Sequence, residues 1–264
     1  MASFAGRVVW VTGASSGIGE ALVYELAKQG AMLVLSARRP EQLERVRQRA
    51  ERPDEHLVLP FDITQIDAFP AHVAQVLQRF GQIDVLINNA GVSQRALVKD
   101  TALHVDRKIF ETDFFGPVAL TKAVLPHMLA RGHGHLVVVS SVAGLVATPL
   151  RSAYSSAKAA IMAFHDALRA ETAAQGLKVS VICPGYIATE IGHSALVGDG
   201  TTSAGRHPIP EDSMPADVFA RRAVVALAAE QQLIVIAGKE RVLWWLSRAS
   251  PYLASRLLLR LQIR

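Results

Sequence analysis

Arg7-Val8-Val9-Trp10-Val11-Thr12 runs directly into Gly13-Ala14-Ser15-Ser16-Gly17-Ile18-Gly19, and the two pieces together decide the fold. The first is the short apolar run that a strand buried on both faces requires. The second opens a helical pattern that continues to Gln29 and stops at Gly30. Strand, glycine-rich turn and helix can cradle a phosphate, because glycines let the backbone approach an anion while the unpaired amides and positive dipole end of the helix favour its charge. The spacing is Gly-x-x-x-Gly-x-Gly, not Gly-x-Gly-x-x-Gly, so the turn alone fits a structural role equally well.

Outward from this unit, strands and helices alternate. Strands are expected at Met32 to Ala37, Leu57 to Phe61, Asp84 to Ile87, His135 to Val139, Val179 to Ile182 and Leu233 to Ala237. Between them lie helical stretches, among them 101–131, interrupted near Gly116-Pro117, and Ala216 to Glu230. Such alternation predicts an α/β chain: a single doubly wound Rossmann domain with a mostly parallel seven-stranded sheet and helices on both faces. Ligands bind such sheets beyond the carboxyl ends of the strands. Asp62, Asn88 and Gly91 lie at such ends, although each also suits a cap or a turn. The second strand ends at Arg38-Arg39 with no acidic residue, where a dinucleotide fold holds the adenine ribose; arginine there pairs with the 2′-phosphate of NADP and acid with the 2′-hydroxyl of NAD. The pair therefore favours NADP, the alternative being solvated arginines that open the helix Glu41 to Glu51.

Ser152-Ala153-Tyr154-Ser155-Ser156-Ala157-Lys158 places a phenol and an amine four residues apart, on one face of a helix. Tyrosine ionises near pH 10, and an ammonium one turn away favours its phenolate, so Lys158 is placed to tune Tyr154. An isolated Tyr-x-x-x-Lys is a common surface pattern; the surrounding motifs give it weight.

Half of the 264 residues are hydrophobic, enough for one large core, and no composition break or internal repeat divides the chain. The single cysteine, Cys183, excludes an intrachain disulfide framework and suits a reducing compartment, so a cytoplasmic location is expected. Met1 to Val11 has neither the pattern of a signal peptide nor that of a membrane span. The net charge of +5 does not point to nucleic acid, because from Lys239 onward six basic residues stand against Glu240 alone and the rest is near neutral. His127, His133 and His135 lie about a helix-to-strand turn without carboxylates at ligand spacing, so no metal is expected.

With these pieces placed, the chain resembles the short-chain dehydrogenase/reductase family from Arg7 to about Ala237. The resemblance rests on Thr12-Gly13-Ala14-Ser15-Ser16-Gly17-Ile18-Gly19, Asn88-Asn89-Ala90-Gly91, Ser141, Tyr154-x-x-x-Lys158 and Pro184-Gly185-x-x-x-Thr189, in the family's order and approximate spacing. It implies that Tyr154 is the general acid or base, that Ser141 holds the substrate oxygen, and that Lys158 binds the nicotinamide ribose while lowering the tyrosine pKa. It implies further that Gly13, Ser15, Ser16, Gly17, Ile18 and Gly19 cradle the diphosphate, and that Arg38 and Arg39 meet the 2′-phosphate. Asp62 would contact adenine, Asn88, Ala90 and Gly91 would line the cofactor's path, and Pro184 with Thr189 would hold the nicotinamide end. Family habit implies a homodimer or homotetramer. One departure stands out: where the family commonly has Asn-x-x-Gly, this chain has Asp113-Phe114-Phe115-Gly116. An aspartate there keeps any backbone role, pairs with a cation, or marks a local helix kink.

The expected activity is NADP(H)-dependent interconversion of a carbonyl and a secondary alcohol, on a small and hydrophobic substrate. The alternative is a catalytically silent protein that keeps the pocket to sense NADP(H) or bind a partner. Residues 1–238 would form the NADP-binding domain, with 186–215, rich in Gly, Ser, Thr and Pro, as a substrate lid. Residues 239–264, with Val242-Leu243-Trp244-Trp245-Leu246 and leucines interleaved with arginines, would form a basic amphipathic tail. That tail suits peripheral contact with a membrane surface, packing on its own or a partner subunit, or closure of the pocket.

Overall fold

The computed structural model describes residues 4–204 and 210–260. Seven parallel strands form one sheet: β1 (Val8–Thr12), β2 (Met32–Ser36), β3 (Leu57–Val58), β4 (Val85–Asn88), β5 (Gly134–Val139), β6 (Leu177–Pro184) and β9 (Leu233–Ile236). Their order is β3-β2-β1-β4-β5-β6-β9. The chain winds outward from β1 in one direction and then, from β4, in the other, so a crevice opens between the carboxyl ends of β1 and β4. Alternate residues of each strand face opposite layers. Val9, Val11, Leu33 and Leu35 pack against Leu22 and Leu26 of α1 (Gly17–Lys28) and Phe219 and Val224 of α8 (Ala216–Ala228). Val8, Trp10, Val34 and Leu86 pack on the other side, against Phe69 and Val73 of α3 (Phe69–Phe80) and Leu120 and Val124 of α5 (Gly116–Arg131). At the opposite, amino-terminal edge, buried Asp84 accepts from the Val8 amide at 2.8 Å and pairs with Arg131 at 2.9 Å, tying β1, β4 and α5.

Two expected elements differ in detail. Regular pairing of the third strand covers only Leu57–Val58. This is an edge strand, and beyond Val58 the Leu59 and Phe61 amides still bond to β2 and its extension, at 3.0 and 3.1 Å; Pro60 lies between them, where its missing donor faces away from β2. The helical stretch at 101–131 is divided as expected, and the divider is a π-turn at Glu111–Phe115 between α4 (Leu103–Phe110) and α5. The loop after β6 carries its own small ladder, β7 (Ile187–Ala188) with β8 (Met214–Pro215), and Leu196 bridges to Gln94 and Thr202. Beyond β9, the tail forms α9 (Glu240–Ala249) and α10 (Pro251–Arg260). The remaining α-helices of the described residues are α2 (Pro40–Arg49), α6 (Val142–Leu145) and α7 (Ser152–Thr172). Among the described residues no helix is long and apolar enough to cross a membrane.

Candidate active site

Most of the residues singled out by the sequence line one cleft of about 1950 Å³ at the carboxyl ends of the strands. Its inner end is the glycine-rich turn. Gly13 and Gly17 take φ of +65° and +59°, a left-handed backbone that side chains resist. A Cβ on Gly19 would strike the Gly13 carbonyl, and one on Gly13 would sit 2.8 Å from Asn89 Nδ2. These glycines exist for close packing of turn, helix and β4. Asn89 closes the packing by donating to the carbonyls of Thr12 (2.9 Å) and Gly13 (3.3 Å), while Thr12 Oγ1 accepts from the Asn89 and Ala90 amides at 3.0 Å.

Ser15, Ser16, Gly17, Ile18, Arg38, Arg39, Asp62, Ala90 and Gly91 line the same end. Arg38 and Arg39 are exposed at its rim, and Arg39 donates to Ser15 Oγ at 3.4 Å. Asp62 is held by Thr64, whose amide and hydroxyl donate to one carboxylate oxygen at 2.9 and 2.8 Å. Two expected residues lie behind the wall. Gly19 packs beneath the turn, and the Asn88 side chain is buried, donating to Thr121 Oγ1 at 2.9 Å. Asn89 occupies the lining position next to Asn88.

Farther along the cleft, Ser141, Tyr154 and Lys158 come together with Pro184 and Thr189. Ser141 follows β5 and caps α6, its Oγ accepting from the Ala143 amide at 3.1 Å. Tyr154 and Lys158 share a face of α7, with Lys158 Nζ 5.8 Å from the Tyr154 ring centroid. Lys158 is buried: Nζ donates to the Val139 carbonyl at 3.1 Å and pairs with Asp113 at 3.2 Å. Asp113, supplied by the π-turn, is itself buried, and its other oxygen accepts from the Val92 amide at 2.8 Å. Of the three roles open to this aspartate, pairing with a cation is the one its side chain takes, and the kink is present as well. A side chain at Gly91 would come within 3.2 Å of both Asp113 and Lys158, so glycine there makes room for the pair. Burial pushes the Asp113 carboxyl up, against the pull of Lys158. Burial also opposes the charge of Lys158, yet Asp113 and Tyr154 outweigh it and hold the amine above its ordinary range. The pair therefore shares its protons as one unit, with Lys158 charged.

Gln94, unsignalled in the sequence because a lone glutamine has no pattern, sets the start of α7: its buried side-chain carbonyl accepts from the Ala153 amide at 3.0 Å. The amphipathic tail does have a pattern, but the pattern does not name its partner, which is remote in the chain. In the fold Trp244 is buried, α9 lies against α6, and Val242, Leu243, Leu257 and Leu258 line the cleft; Trp245, Tyr252 and Leu253 face outward. Burial raises the Cys183 thiol to about 12, which leaves it unreactive. Among the described residues no group of His, Cys, Asp or Glu is placed to hold a metal; His127 accepts from the Ile83 amide and His135 meets Ser180.

A buried lysine thus stands beside a tyrosine at the switch point of a parallel sheet, next to a glycine-lined crevice, the place where doubly wound sheets hold their ligands. A short chain dehydrogenase family model matches residues 7–197. Dehydrogenase/reductase SDR family protein 7-like from Drosophila melanogaster is 41% identical over 254 residues, 94% of this chain and 78% of that one. Dehydrogenase/reductase SDR family member 7 from Homo sapiens is 40% identical over 258 residues, 91% and 76% of the two chains. A crystal structure of a short-chain dehydrogenase from Streptomyces avermitilis superposes with a TM-score of 0.82 at 30% identity, covering 95% of this chain and 94% of that one. The chain belongs to the short-chain dehydrogenase/reductase family, and with it to the oxidoreductases that use a nicotinamide cofactor on a small molecule.

Proposed function

We propose that the protein interconverts a carbonyl and a secondary alcohol with NADP(H), using Tyr154 as the proton donor and acceptor. The observation that carries this reading is the buried Lys158 beside Tyr154, with Ser141 lining the same end of the cleft. A bound nicotinamide supplies or accepts the hydride; the chain must supply position and a proton. The cleft suits such a cofactor: its inner end is glycine backbone that admits a close-lying diphosphate, with exposed Arg38 and Arg39 and no acid at the end of β2 for the adenosine side.

In reduction, the Ser141 hydroxyl holds the carbonyl oxygen, and the Tyr154 hydroxyl gives its proton to that oxygen as negative charge grows there. The Lys158 ammonium stabilises the phenolate left behind. In oxidation the same groups act in reverse, Tyr154 taking the alcohol proton. Lys158 would also reach the ribose hydroxyls, and Thr189 the nicotinamide amide. The described parts of segment 186–215, residues 186–204 and 210–215, and helices α9 and α10 serve as the cover of the substrate end; 205–209 of the expected lid and 261–264 of the expected tail lie outside the described residues.

Turnover of NADPH with a panel of apolar ketones tests the reading. Tyr154→Phe should lower kcat by about 10²–10⁴-fold; unchanged turnover would sink the assignment. Arg38→Asp should move the kcat/KM preference toward NADH by about 10- to 100-fold, the worth of charge-assisted bonds to the 2′-phosphate.

A further inference from the structure

Helices α9 and α10 have two unlike sides. Leu243 and Leu258 line the cleft, and Trp244 and Ala254 are buried. Away from that packing, Trp245 is 58% and Tyr252 66% exposed, and Val242, Leu253 and Leu257 are exposed as well. Single apolar side chains on a surface are ordinary. Here five of the fifteen large exposed ones among the described residues fall on these two ten-residue helices, which pack on each other, so they form a patch. Val242 and Trp245 are three residues apart and Leu253 and Leu257 four, spacings that make them neighbours on their helices.

The charge beside this patch has one sign. Arg241, Arg248 and Arg256 are exposed, and none of them forms an ion pair among the described residues. Arg241 precedes Trp245 by four residues and Arg248 follows it by three, so two guanidinia flank the indole. Arg256 lies over the Tyr252 ring, 5.5 Å from its centroid. Glu240, the single acid of the two helices, is half-buried and accepts from the Tyr186 amide at 2.9 Å.

Unpaired arginines among tryptophan, tyrosine and leucine are what a lipid–water boundary selects. Aromatic rings sit at headgroup level, aliphatic side chains enter the acyl region, and guanidinia meet lipid phosphates and carboxylates. A second copy fits the same face poorly, because a twofold contact pairs the patch with itself and sets arginine against arginine. Each helix is too short to span a bilayer, so the fitting arrangement is one in its surface.

We infer that α9 and α10 form a docking surface for an anionic lipid membrane, with Trp245, Tyr252 and Leu253 inserted at the headgroup boundary and the three arginines on the lipid charges. Val242 and Leu257 are exposed and also line the cleft, so docking sets the apolar rim of the cleft at the lipid.

Sedimentation of the full chain with vesicles tests this without turnover, so its outcome is separate from that of the Tyr154→Phe experiment. The vesicles are phosphatidylcholine alone and phosphatidylcholine mixed with phosphatidylserine. Partitioning onto the mixed vesicles should be about tenfold or more stronger, as three arginines at an anionic surface require, and should weaken as salt rises. Of the three tryptophans, Trp10 and Trp244 are buried, so a blue shift of emission on binding reports Trp245. Trp245→Ser combined with Tyr252→Ser should weaken partitioning by about tenfold or more. Arg241→Gln, Arg248→Gln and Arg256→Gln together should abolish the preference for the mixed vesicles. All five side chains are exposed, so both variants should keep the wild-type Tm. The inference is overturned when the wild-type chain binds neither vesicle or binds both equally, or when partitioning is unchanged in the aromatic variant or the preference survives in the arginine variant. It is overturned also when the aromatic substitutions split an oligomer, which would assign the patch to a second copy.

Discussion

The two halves of the cleft are built on different principles. The inner half, from the glycine-rich turn to Lys158, is made of strand ends and of the first turns of helices, and its side chains are held by bonds to main-chain groups: Asn89 to Thr12 and Gly13, Lys158 to Val139, Asp113 to Val92. The outer half is a loop with a two-residue ladder and two terminal helices, which meet the cleft mainly through Val242, Leu243, Leu257 and Leu258. Directional bonds tolerate little change, whereas aliphatic contact adapts to what lies against it. One half is therefore suited to a ligand that never varies, and the other to one that can.

Substitutions should separate the halves, and the largest effect is expected at Asp113. Asp113→Leu leaves Lys158 buried without its counter-charge and should cost about 3–5 kcal/mol, read as a fall in Tm. Asp113→Asn keeps an acceptor for Val92 while removing the negative charge, so the full field of Lys158 reaches Tyr154; the acid limb of the alcohol-oxidation profile should move to lower pH, and an unmoved limb would show that Asp113 does not influence the tyrosine. Next comes Gly19→Ala, whose methyl meets the immobile Gly13 carbonyl: a loss of about 3 kcal/mol is expected, with weaker dinucleotide binding by titration.

A smaller, pH-dependent difference follows from two buried imidazoles that support the inner half. Burial lowers His135 of β5 and His165 of α7 to about 4. The unfolded chain binds protons at these sites from near pH 6.5 downward and the folded chain does not, so their contribution to stability is complete above about 6.5 and is lost as pH falls toward 4. The loss reaches at most about 3 kcal/mol for each, and His165→Leu should flatten the acid side of a plot of Tm against pH. Helices α9 and α10 contain no histidine, so acid should loosen the strand-built half. The smallest effect is expected in the outer half. Leu257→Ala should raise KM for a bulky ketone several-fold, leave the KM for NADPH unchanged and barely move Tm, since Leu257 is 40% exposed. An equal response of both KM values would erase the contrast.

The same division governs what the sequence discloses. The inner half is legible because local chemistry dictates it: Val8 to Thr12 can only be a covered strand, Gly13 and Gly17 supply a backbone that other residues resist, and Tyr154 and Lys158 must share a helix face. Asn88 and Asn89 show the limit, since adjacency in a motif does not tell which side chain faces the cleft and which turns toward Thr121. Pro60 is accommodated because β3 lies at an edge and its missing amide faces away from β2, a placement that the sequence alone does not disclose. The outer half is not legible in this way. The face that Trp244 buries and the wall that Leu257 joins are set by elements about a hundred residues away, and an amphipathic pattern does not name its partner. Gln94 is silent for the same reason, its value arising only when α7 begins beside it.

The π-turn at Glu111–Phe115 works as a shim in the longest connection of the inner half. It holds one residue more per turn than the helix on either side, and that surplus sets the angular phase of Asp113 relative to α4. Deleting a single residue there would let the segment wind as one continuous α-helix and rotate everything on its amino-terminal side by about 100° about the axis. The packing of Val105 and Ile109 beneath α7 and the alignment of Asp113 with Lys158 could not then both be kept. Insertions and deletions, which loops absorb freely, are thus barred from this one stretch of helix by the geometry of a single ion pair.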